Sequence, residues 1–587
     1  MNPGESNLWG SRVVFITVLI CQLVGITNIN SIPNYALTQG ATGYIIFLII
    51  IYIFMGIPLL YMESVVGQFT TRDCIAVWKI CPCFSFMGYV VLIWQATILI
   101  YNQIMTSFLV HYLLVSFENP IPFYTCGSWS SRYCNSLATN YTVNQDCIKY
   151  QNLFPYCDNL YKTFPEYQYW RFYLVRGREH REFFIAWKVC VASGLISFIL
   201  YLSSFKRSKS LRWIVVSLSI YSILALTIIL TGSMRQKGVV VKYEESLDLD
   251  FSEFTKKFRL SHLIQQIVYN LNIGAGTMFT LSSTLSFRSP CFSDIVIAVV
   301  ICTLFTVIFV FTTAMMTCPY AYEYGTKPGA IIRTPMNLNF ETIPRLIYQY
   351  EHKTFYLIVI FSYEAVLGVS TMVIYLFSLL EVAFKRCPKL AEYPGLTTFC
   401  TVVLMFFMTI PFLSYYGVNM IALSFRRYFT LLSTFIGLLE GLVFIIWYGV
   451  NRLSEDIHFM LGIQPKIFIK ATWILSVILL AYALCNELYY QLNNLTGYIY
   501  ATYALIALLS CIAALFVTTL LVAICTKRFR RFISLDPTWG PSTDILQRSR
   551  AMFSAQAMTK EYIYRQYHLQ AGIMARQKRT NGIIANR

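Results

Sequence analysis

The sequence predicts an all-α polytopic membrane protein with about twelve transmembrane helices, two of which are discontinuous. Hydrophobic residues make up 57% of the 587-residue chain, and charged residues make up only 13%. Apolar segments of about 20 residues, the length that crosses a bilayer, recur along almost the whole chain. The first and the sixth of these segments are interrupted by Gly and Asn residues, which is typical of broken helices that line a binding site.

The apolar segments divide the chain into three regions. A short N-terminus (1–11), predicted to be cytoplasmic, precedes a twelve-helix domain (12–525), and a basic tail (526–587) follows it. A long loop (118–182) separates the third segment from the fourth. The predicted spans are 12–35, 43–66, 87–117, 183–203, 211–231, 262–287, 292–316, 355–384, 397–414, 429–450, 466–487 and 499–525.

The first interruption covers residues 24–33, which read Val-Gly-Ile-Thr-Asn-Ile-Asn-Ser-Ile-Pro. A helix in lipid must satisfy every backbone group internally, and Gly and Pro interrupt that pattern. Asn and Ser side chains compete for the backbone groups that are released. The segment therefore predicts a discontinuous helix that forms a solute or ion site. The alternative is a short first span that ends near Thr27 and continues into a polar loop.

The second interruption lies in the sixth span, at residues 269–276, which read Tyr-Asn-Leu-Asn-Ile-Gly-Ala-Gly. It falls five spans after the first one. Two broken spans at corresponding positions of two halves are the strongest sequence indication of a transporter built from repeats. The second interruption therefore favours the discontinuous helix over the polar loop.

The net charge of +18 is concentrated in loops on one predicted side of the membrane. Because cytoplasmic loops of membrane proteins carry the excess of Lys and Arg, both termini are predicted to be cytoplasmic. Arg426 and Arg427 are the main exceptions among the short loops. The basic tail then anchors the topology against anionic lipid and is not a nucleic-acid arm. The residues that set this orientation are Arg72, Lys79, Lys206, Arg207, Lys209, Arg212, Lys385, Arg386, Lys389, Arg452, Lys527, Arg528, Arg530 and Arg531.

The long loop contains four of the 17 cysteines and is predicted to be extracellular. Four cysteines permit three pairings, and the local ones are Cys126–Cys134 and Cys147–Cys157. We predict a disulfide between Cys126 and Cys134. Two glycosylation sequons, at Asn140 and Asn494, also fall on the predicted outer side. These features place the protein in the plasma membrane.

Several short motifs resemble the neurotransmitter/sodium symporter family, which comprises sodium- and chloride-dependent neurotransmitter and amino-acid transporters. The resemblance implies LeuT-like inverted five-helix repeats over 12–231 and 262–450, with two extra helices over 466–525. It also implies alternating access around a midplane site. The motifs are Gly-Ile-Pro-Leu at 56–59, Glu63, Gly-Gln at 67–68, Trp-Tyr-Gly-Val-Asn at 447–451, Met-Leu-Gly at 460–462, Pro465 and Pro-Thr-Trp-Gly-Pro at 537–541.

The resemblance also assigns a solute site. Tyr101 corresponds to the tyrosine whose hydroxyl reaches the solute carboxylate, and Tyr269 corresponds to the aromatic residue that covers the solute. Gly25 stands where monoamine carriers have an aspartate, so the expected solute is zwitterionic or neutral. Alternatively, the two tyrosines only pack helices together. The predicted solute-binding residues are Gly25, Ile26, Thr27, Tyr101, Tyr269, Asn270 and Thr371.

The ion sites implied by the resemblance are partly altered. For sodium, Cys302 replaces an asparagine and Val369 replaces an acidic or hydroxyl residue, and a thiol is a poor sodium ligand. For chloride, Leu48 replaces a tyrosine and Thr306 replaces a serine. Asn28 and Ser370 are kept at the sodium sites, so sodium coupling is expected. The chloride site is weakened. The predicted sodium ligands are Val24, Asn28, Asn270, Val366 and Ser370, and the predicted chloride ligands are Gln266, Asn270 and Thr306.

The two gates of the family are altered as well. Ser31 replaces the arginine of the outer gate, and its acidic partner aligns with Phe425 or Arg426. At the inner gate, Ser6 replaces an arginine and Lys385 replaces an aspartate. Losing both partners of an ion pair costs less stability than losing one, because no buried charge is left without a partner.

Together these features predict a secondary active transporter that couples sodium to the symport of a small amino-acid-like or neurotransmitter-like solute. The alternative is a non-transporting relative that binds a ligand or acts as a scaffold, which the altered gates and Cys302 would suit. An enzyme is not expected, because no group of His, Cys and Ser residues has catalytic spacing.

Overall fold

The structure is a computed structural model that describes most of the membrane domain. The described residues are 9–131, 134, 164–174, 186–206, 208–249, 251–325, 338–414, 417–418, 428–493, 510, 512–522, 524, 532, 534–536 and 539–553.

Helices account for the regular structure of these residues. The principal ones are α1 (Arg12–Leu23), α2 (Ile26–Gln39), α3 (Ala41–Ile51), α4 (Ile57–Thr70), α5 (Met87–Val115), α6 (Trp187–Ser204), α7 (Ser208–Met234), α8 (Val239–Leu247), α9 (Ser252–Lys257), α10 (Leu260–Asn270), α11 (Thr277–Ser282), α12 (Cys291–Tyr324), α13 (Lys353–Arg386), α14 (Pro394–Thr409), α15 (Thr430–Glu440), α16 (Val450–Leu461), α17 (Ile467–Asn493) and α18 (Asp544–Met552). Shorter helical turns lie at Val77–Ile80, Pro82–Phe84, Pro122–Tyr124, Pro165–Gln168, Ile343–Ile347, Pro388–Glu392 and Ile410–Leu413. Wider, π-helical turns lie at Tyr52–Gly56, Tyr169–Leu174, Leu338–Thr342 and Gly441–Trp447.

Within the described residues, nine helical segments are long and apolar enough to cross a membrane. They correspond to predicted spans two to five and seven to eleven. Spans one and six each form two short helices, as predicted for discontinuous segments. The described part of span twelve contains the apolar helix Ile512–Val522. The predicted all-α membrane fold is confirmed.

The break in span one is narrower than the sequence suggested. Helix α1 ends at Leu23, and α2 begins at Ile26 with Gly25 as its N-cap. The Asn-rich stretch up to Pro33 is helical, so the prediction of an interruption over residues 24–33 is too wide. Proline removes a single hydrogen bond from a helix. Here the burial of Ile32 and Ala36 in the core favours the helix.

The break in span six covers residues 271–276, between α10 and α11. Three of its residues adopt left-handed backbone conformations, Asn272 at φ 56°, Gly274 at φ 77° and Gly276 at φ 76°. Gly and Asn tolerate this conformation best among the amino acids. At Gly276 there is no room for a side chain either, because a Cβ atom would lie 2.4 Å from a methyl carbon of Val91.

Helices α5 and α13 form the central pair of the structure and position the two breaks. They are spans three and eight, which are equivalent in the two predicted repeats. Helix α13 also packs against α1 and α7, so it contacts the end of span one directly. Most of its residues from Leu357 to Phe384 are buried.

The described part of the tail packs against the membrane domain. The Trp539 indole donates a hydrogen bond to the Val77 carbonyl at 3.0 Å. In α18, the Arg550 guanidinium donates to the Asp456 carboxylate at 2.6 Å. The tail therefore holds helix α16 and the turn at 77–80 together on this face.

The predicted disulfide between Cys126 and Cys134 is present, with the two Cα atoms 5.9 Å apart. Cys147, Cys157 and both sequons, at Asn140 and Asn494, lie outside the described residues.

We expect a Cys126→Ala variant to accumulate inside the cell. The bond closes a short loop that the sequence predicts to be extracellular, and such bonds often decide whether an exposed segment folds. Surface biotinylation measures the effect, with Cys400→Ala as the control because Cys400 is a free, exposed cysteine. Normal surface delivery of Cys126→Ala would contradict this role for the disulfide.

Candidate solute and ion site

The second break contacts the end of α1, next to the first break. The Asn272 side-chain amide donates to the Gln22 carbonyl at 2.5 Å, one residue before the end of α1. Gln22 in turn donates to the Thr277 hydroxyl at 2.6 Å, at the start of α11. The Tyr375 hydroxyl on α13 donates to the side-chain oxygen of Asn272, Oδ1, at 2.7 Å. Asn272 thus joins α1, α13 and the second break.

Backbone groups of the second break bond to buried side chains from other helices. The Gly274 N–H donates to the Glu63 carboxyl at 2.9 Å. The Ile273 carbonyl accepts from Ser433 at 3.2 Å, and the Ala275 carbonyl accepts from Gln95 at 3.3 Å. Irregular backbone is tolerated at bilayer depth where protein groups satisfy it in this way.

Glu63 and Glu440 lie beside each other behind the second break, and both are fully buried. They come from α4 and α15. Glu63, which belongs to one of the sequence motifs, therefore supports the second break through its bond to the Gly274 N–H.

Gly25 and Thr371, two predicted solute residues, are in contact. A Cβ atom at Gly25 would lie 3.0 Å from the Thr371 hydroxyl oxygen. That hydroxyl donates to the Leu367 carbonyl at 3.1 Å and to the Cys21 carbonyl at 3.3 Å. The absence of a side chain at Gly25 lets the first break approach α13 closely.

Tyr101 and Tyr269 belong to one buried aromatic group, joined by two residues that the sequence analysis did not single out. The Tyr101 ring meets Phe429 edge to face, with centroids 5.6 Å apart. Phe429 meets Trp94 in the same way at 5.2 Å, and Trp94 lies 6.4 Å from Tyr269. Phe429 was recognised only as the start of span ten, because an aromatic residue in an apolar segment carries no specific signal.

Asn270 is the most informative polar residue of the site. Only 1% of it is exposed, and neither its carbonyl oxygen nor its amide nitrogen has a partner among the described residues. A buried polar group without a partner costs about 1–3 kcal/mol. The amide offers an oxygen for a cation and N–H groups for an anion, which agrees with its predicted membership of both ion sites.

The other predicted sodium residues surround the first break. Val24 follows the last residue of α1, and the Ser370 hydroxyl donates to the Leu367 carbonyl at 2.9 Å, one residue beyond Val366. The Cys302 thiol donates to the Leu23 carbonyl at 3.7 Å, so this substituted residue occupies the edge of the site. The side chains of residues 27–30 are outside the described part, and the roles of Thr27 and Asn28 stay predictions.

The predicted chloride residues are only partly available. The Gln266 carbonyl oxygen is buried without a partner among the described residues. The Thr306 hydroxyl donates to the Cys302 carbonyl at 2.8 Å, so that bond must break before Thr306 can donate to an anion. The buried hydroxyls of Tyr44 and Tyr52, one turn on either side of Leu48, also have no partner in the described part of the chain.

Polar contacts surround Lys385, which the sequence predicts at the inner gate. Lys385 donates to the Ser283 hydroxyl at 2.8 Å. The Arg12 guanidinium pairs with Asp294 at 2.6 Å, and the Trp9 indole donates to Thr284 at 2.9 Å. The hydroxyl of Ser31, predicted at the outer gate, is buried without a partner among the described residues, and residues 6, 425 and 426 lie outside them.

Two broken helices that meet in the interior of the protein, beside buried polar groups that have no partner among the described residues, are typical of membrane transporters. Residues 6–532 match the sodium:neurotransmitter symporter family, and the chain belongs to this family. Members of the family are transporters, so the predicted class of protein is confirmed and an enzyme is excluded.

Two curated relatives carry the same name, sodium- and chloride-dependent neutral and basic amino acid transporter B(0+). The Homo sapiens protein is 24% identical over 493 residues, which cover 80% of this chain and 76% of that protein. The Mus musculus protein is also 24% identical over 493 residues, which cover 79% and 76% of the two chains.

Proposed function

We propose that the protein is a secondary active transporter that couples sodium to the uptake of a small amino-acid-like solute across the plasma membrane, with both termini cytoplasmic. The observation that carries this proposal is the Asn270 side-chain amide at the end of α10, beside the second break, which is buried and has no partner among the described residues. A ligand that completes the bonding of this amide would account for its burial.

The ends of the broken helices suit a zwitterionic solute together with a cation. Helix α2 begins at Ile26 with Gly25 as a cap that offers no side-chain acceptor, so its first N–H groups are available to a carboxylate. The ends of α1 and α10 present carbonyl groups, which attract a cation. The relatives named as amino acid transporters support a solute of this class.

The proposed sodium ligands are Asn28, Asn270 and Ser370, with carbonyl groups of Val24 and Val366. The proposed chloride ligands are Gln266 and Asn270, and Thr306 contributes only after its bond to Cys302 is broken. We therefore expect uptake to depend more strongly on sodium than on chloride. The solute contacts Gly25, Ile26, Thr27 and Thr371, next to the aromatic group that contains Tyr101 and Tyr269.

Uptake of a panel of radiolabelled amino acids into cells tests the proposal. Replacing sodium by choline should abolish uptake, and replacing chloride by gluconate should reduce it less. Uptake of the same amino acids that is indifferent to sodium would refute the coupling.

We expect Tyr101→Phe to weaken solute affinity about ten- to a hundredfold, because a hydrogen bond to a charged group is worth about 1.5–3 kcal/mol. The ring and its contact with Phe429 remain, so folding should hardly change. Tyr269→Phe is the matched control and should lower solute affinity less, because Tyr269 is expected to cover the solute with its ring. If Tyr101→Phe behaves like wild type while Tyr269→Phe fails, Tyr101 does not hold the solute.

A further inference from the structure

Glu364 in α13 is a buried carboxyl group that the proposed solute and ion sites do not use. Its exposed fraction is 1%. The Asn339 side-chain amide donates to one of its oxygens at 2.8 Å, and the other oxygen has no partner among the described residues. An ionised carboxylate is rarely buried without a positive charge or several hydrogen bonds to compensate it. One neutral amide compensates only part of that cost, so the buried group is expected to carry a proton.

Asn339 belongs to the π-helical turn Leu338–Thr342, which we call the outer turn. The outer turn contacts α2. The Phe340 ring stacks on Trp170 with centroids 4.4 Å apart, and the Phe340 carbonyl accepts from the Tyr112 hydroxyl of α5 at 3.2 Å. The outer turn thus connects α13 to α2 and α5, which also carry proposed solute residues.

The cations near the outer turn have other partners. The Arg345 guanidinium lies over the Phe164 ring, 4.2 Å from its centroid, and the Lys353 ammonium lies over the Tyr348 ring at 4.5 Å. Among the described residues, no positively charged side chain pairs with Glu364. Other titratable groups on the surrounding elements are Tyr35 in α2, His111 and Tyr112 in α5, Lys188 in α6, Tyr221 in α7, Tyr320 in α12, Tyr363 in α13, Glu166 and Tyr169 in the turns at 165–174, and Glu341 in the outer turn.

The proposed solute site is closed in this structure. Tyr101, Tyr269, Asn270 and Thr371 are each at most 5% exposed, so a solute reaches them only after an element that covers them moves. Because both termini are proposed to be cytoplasmic, α13 starts at the extracellular face. Glu364 then lies about 10 Å closer to that face than Thr371, which is seven helical residues further on. The bond between Asn339 and Glu364 is therefore on the extracellular side of the site.

We propose that Glu364 is a proton-binding site linked to the outer turn. It takes up a proton from the extracellular side when the turn closes over the solute site, and it releases the proton to the same side when the turn opens. This inference rests on the proposed function, which supplies the solute site and the orientation.

The chemistry of the step is a single protonation. On closure, hydronium gives its proton to the carboxylate oxygen that Asn339 does not contact, and water is left. On opening, Asn339 separates from Glu364, water reaches the carboxyl group, and the proton returns to it. The proton is not carried across the membrane, so the sodium gradient remains the driving force.

The sign of the pH effect follows from the burial of the carboxyl group. Closure buries the neutral form and therefore binds a proton, so external acid favours the closed arrangement. Closure retains the solute, so acid should lower the solute concentration that gives half-maximal uptake. One linked proton limits this effect to about tenfold per pH unit.

Uptake of radiolabelled leucine, measured against leucine concentration at mildly acidic and mildly alkaline external pH, tests the proposal. Leucine has no titratable side chain, so the solute itself does not introduce the effect. The wild type should need several-fold more leucine for half-maximal uptake at the alkaline end. Glu364→Gln keeps an acceptor for Asn339 and is permanently neutral. Its half-maximal concentration should be independent of pH and equal to the wild-type value in acid.

Two further variants complete the uptake test. Glu364→Asp keeps a titratable group and should retain a dependence on external pH. Glu381→Gln removes another buried carboxyl group, 3% exposed and near the inner end of α13, and should show the wild-type pH dependence. The pair Glu364→Gln and Glu381→Gln thus separates the outer carboxyl group from a general effect of removing a buried acid.

The infrared spectrum of the purified protein gives a readout that does not depend on transport. A protonated carboxyl group has a carbonyl stretching band that a carboxylate lacks, and Glu364→Gln should remove one such band at neutral pH. The proposal is overturned if that band persists, if wild-type uptake is indifferent to external pH, or if Glu364→Gln keeps the wild-type pH dependence. Sodium-driven leucine uptake would support the proposed function in each of these cases.

Discussion

An Asn270→Leu variant is expected to lose sodium-driven uptake while it remains as stable as the wild type or becomes more stable. The Asn270 side-chain amide is buried, and none of the described residues forms a hydrogen bond with it. The leucine side chain has the same number and branching of heavy atoms as asparagine, and it removes the polar group. Loss of one ligand to a charged ion is worth about 1.5–3 kcal/mol, so half-maximal uptake should need about ten- to a hundredfold more sodium.

Sodium titration of uptake and the melting temperature of the purified protein measure the two effects. Asn272→Leu is the matched control, because the Asn272 amide bonds to Gln22 and Tyr375 and its backbone is left-handed. The control should lose both stability and uptake. If Asn270→Leu also melts at a clearly lower temperature with unchanged sodium dependence, Asn270 is a structural residue.

A Glu63→Ala variant is expected to be strongly destabilised. Glu63 accepts the hydrogen bond from the Gly274 N–H and fills the space beside Glu440. Its removal leaves a buried donor unsatisfied and creates a cavity, which together cost about 2–4 kcal/mol. Glu63→Gln keeps an acceptor of the same shape and should cost about 1 kcal/mol or less.

The melting temperatures of both variants in detergent, with surface expression in cells, check this expectation. A large difference between alanine and glutamine shows that the acceptor at residue 63 holds the second break in place. If the alanine variant has the same melting temperature as the wild type, the bonds from Ser433 and Gln95 are enough to hold the break.

The positions of the breaks could be predicted from local sequence, but the extent of the first could not. Gly25 and the glycines at 274 and 276 mark places where a helix must stop, because their backbone conformation or their close contacts exclude other residues. Asn and Pro between 28 and 33 carry the same local signal. They are nevertheless helical, because burial of Ile32 and Ala36 outweighs their weak helix propensity.

The sequence also could not tell which polar residues lack partners. Asn270 and Asn272 are equivalent in the sequence, yet Asn272 bonds to two helices and Asn270 to none in the described structure. Glu364 is a carboxylate within an apolar span. Its hydrogen bond to Asn339 depends on a contact between distant segments, which no local pattern encodes.

Solute flux in proteoliposomes that contain only the purified protein tests the central claim most directly. With radiolabelled amino acid outside, an inward sodium gradient should drive the amino acid into the vesicles to a concentration above the external one. Dissipating the gradient should release the accumulated amino acid. Asn270→Leu should abolish the accumulation at the same sodium concentration. Amino-acid binding without any flux, in vesicles where the protein is folded, would contradict the claim and identify a ligand-binding relative instead of a transporter.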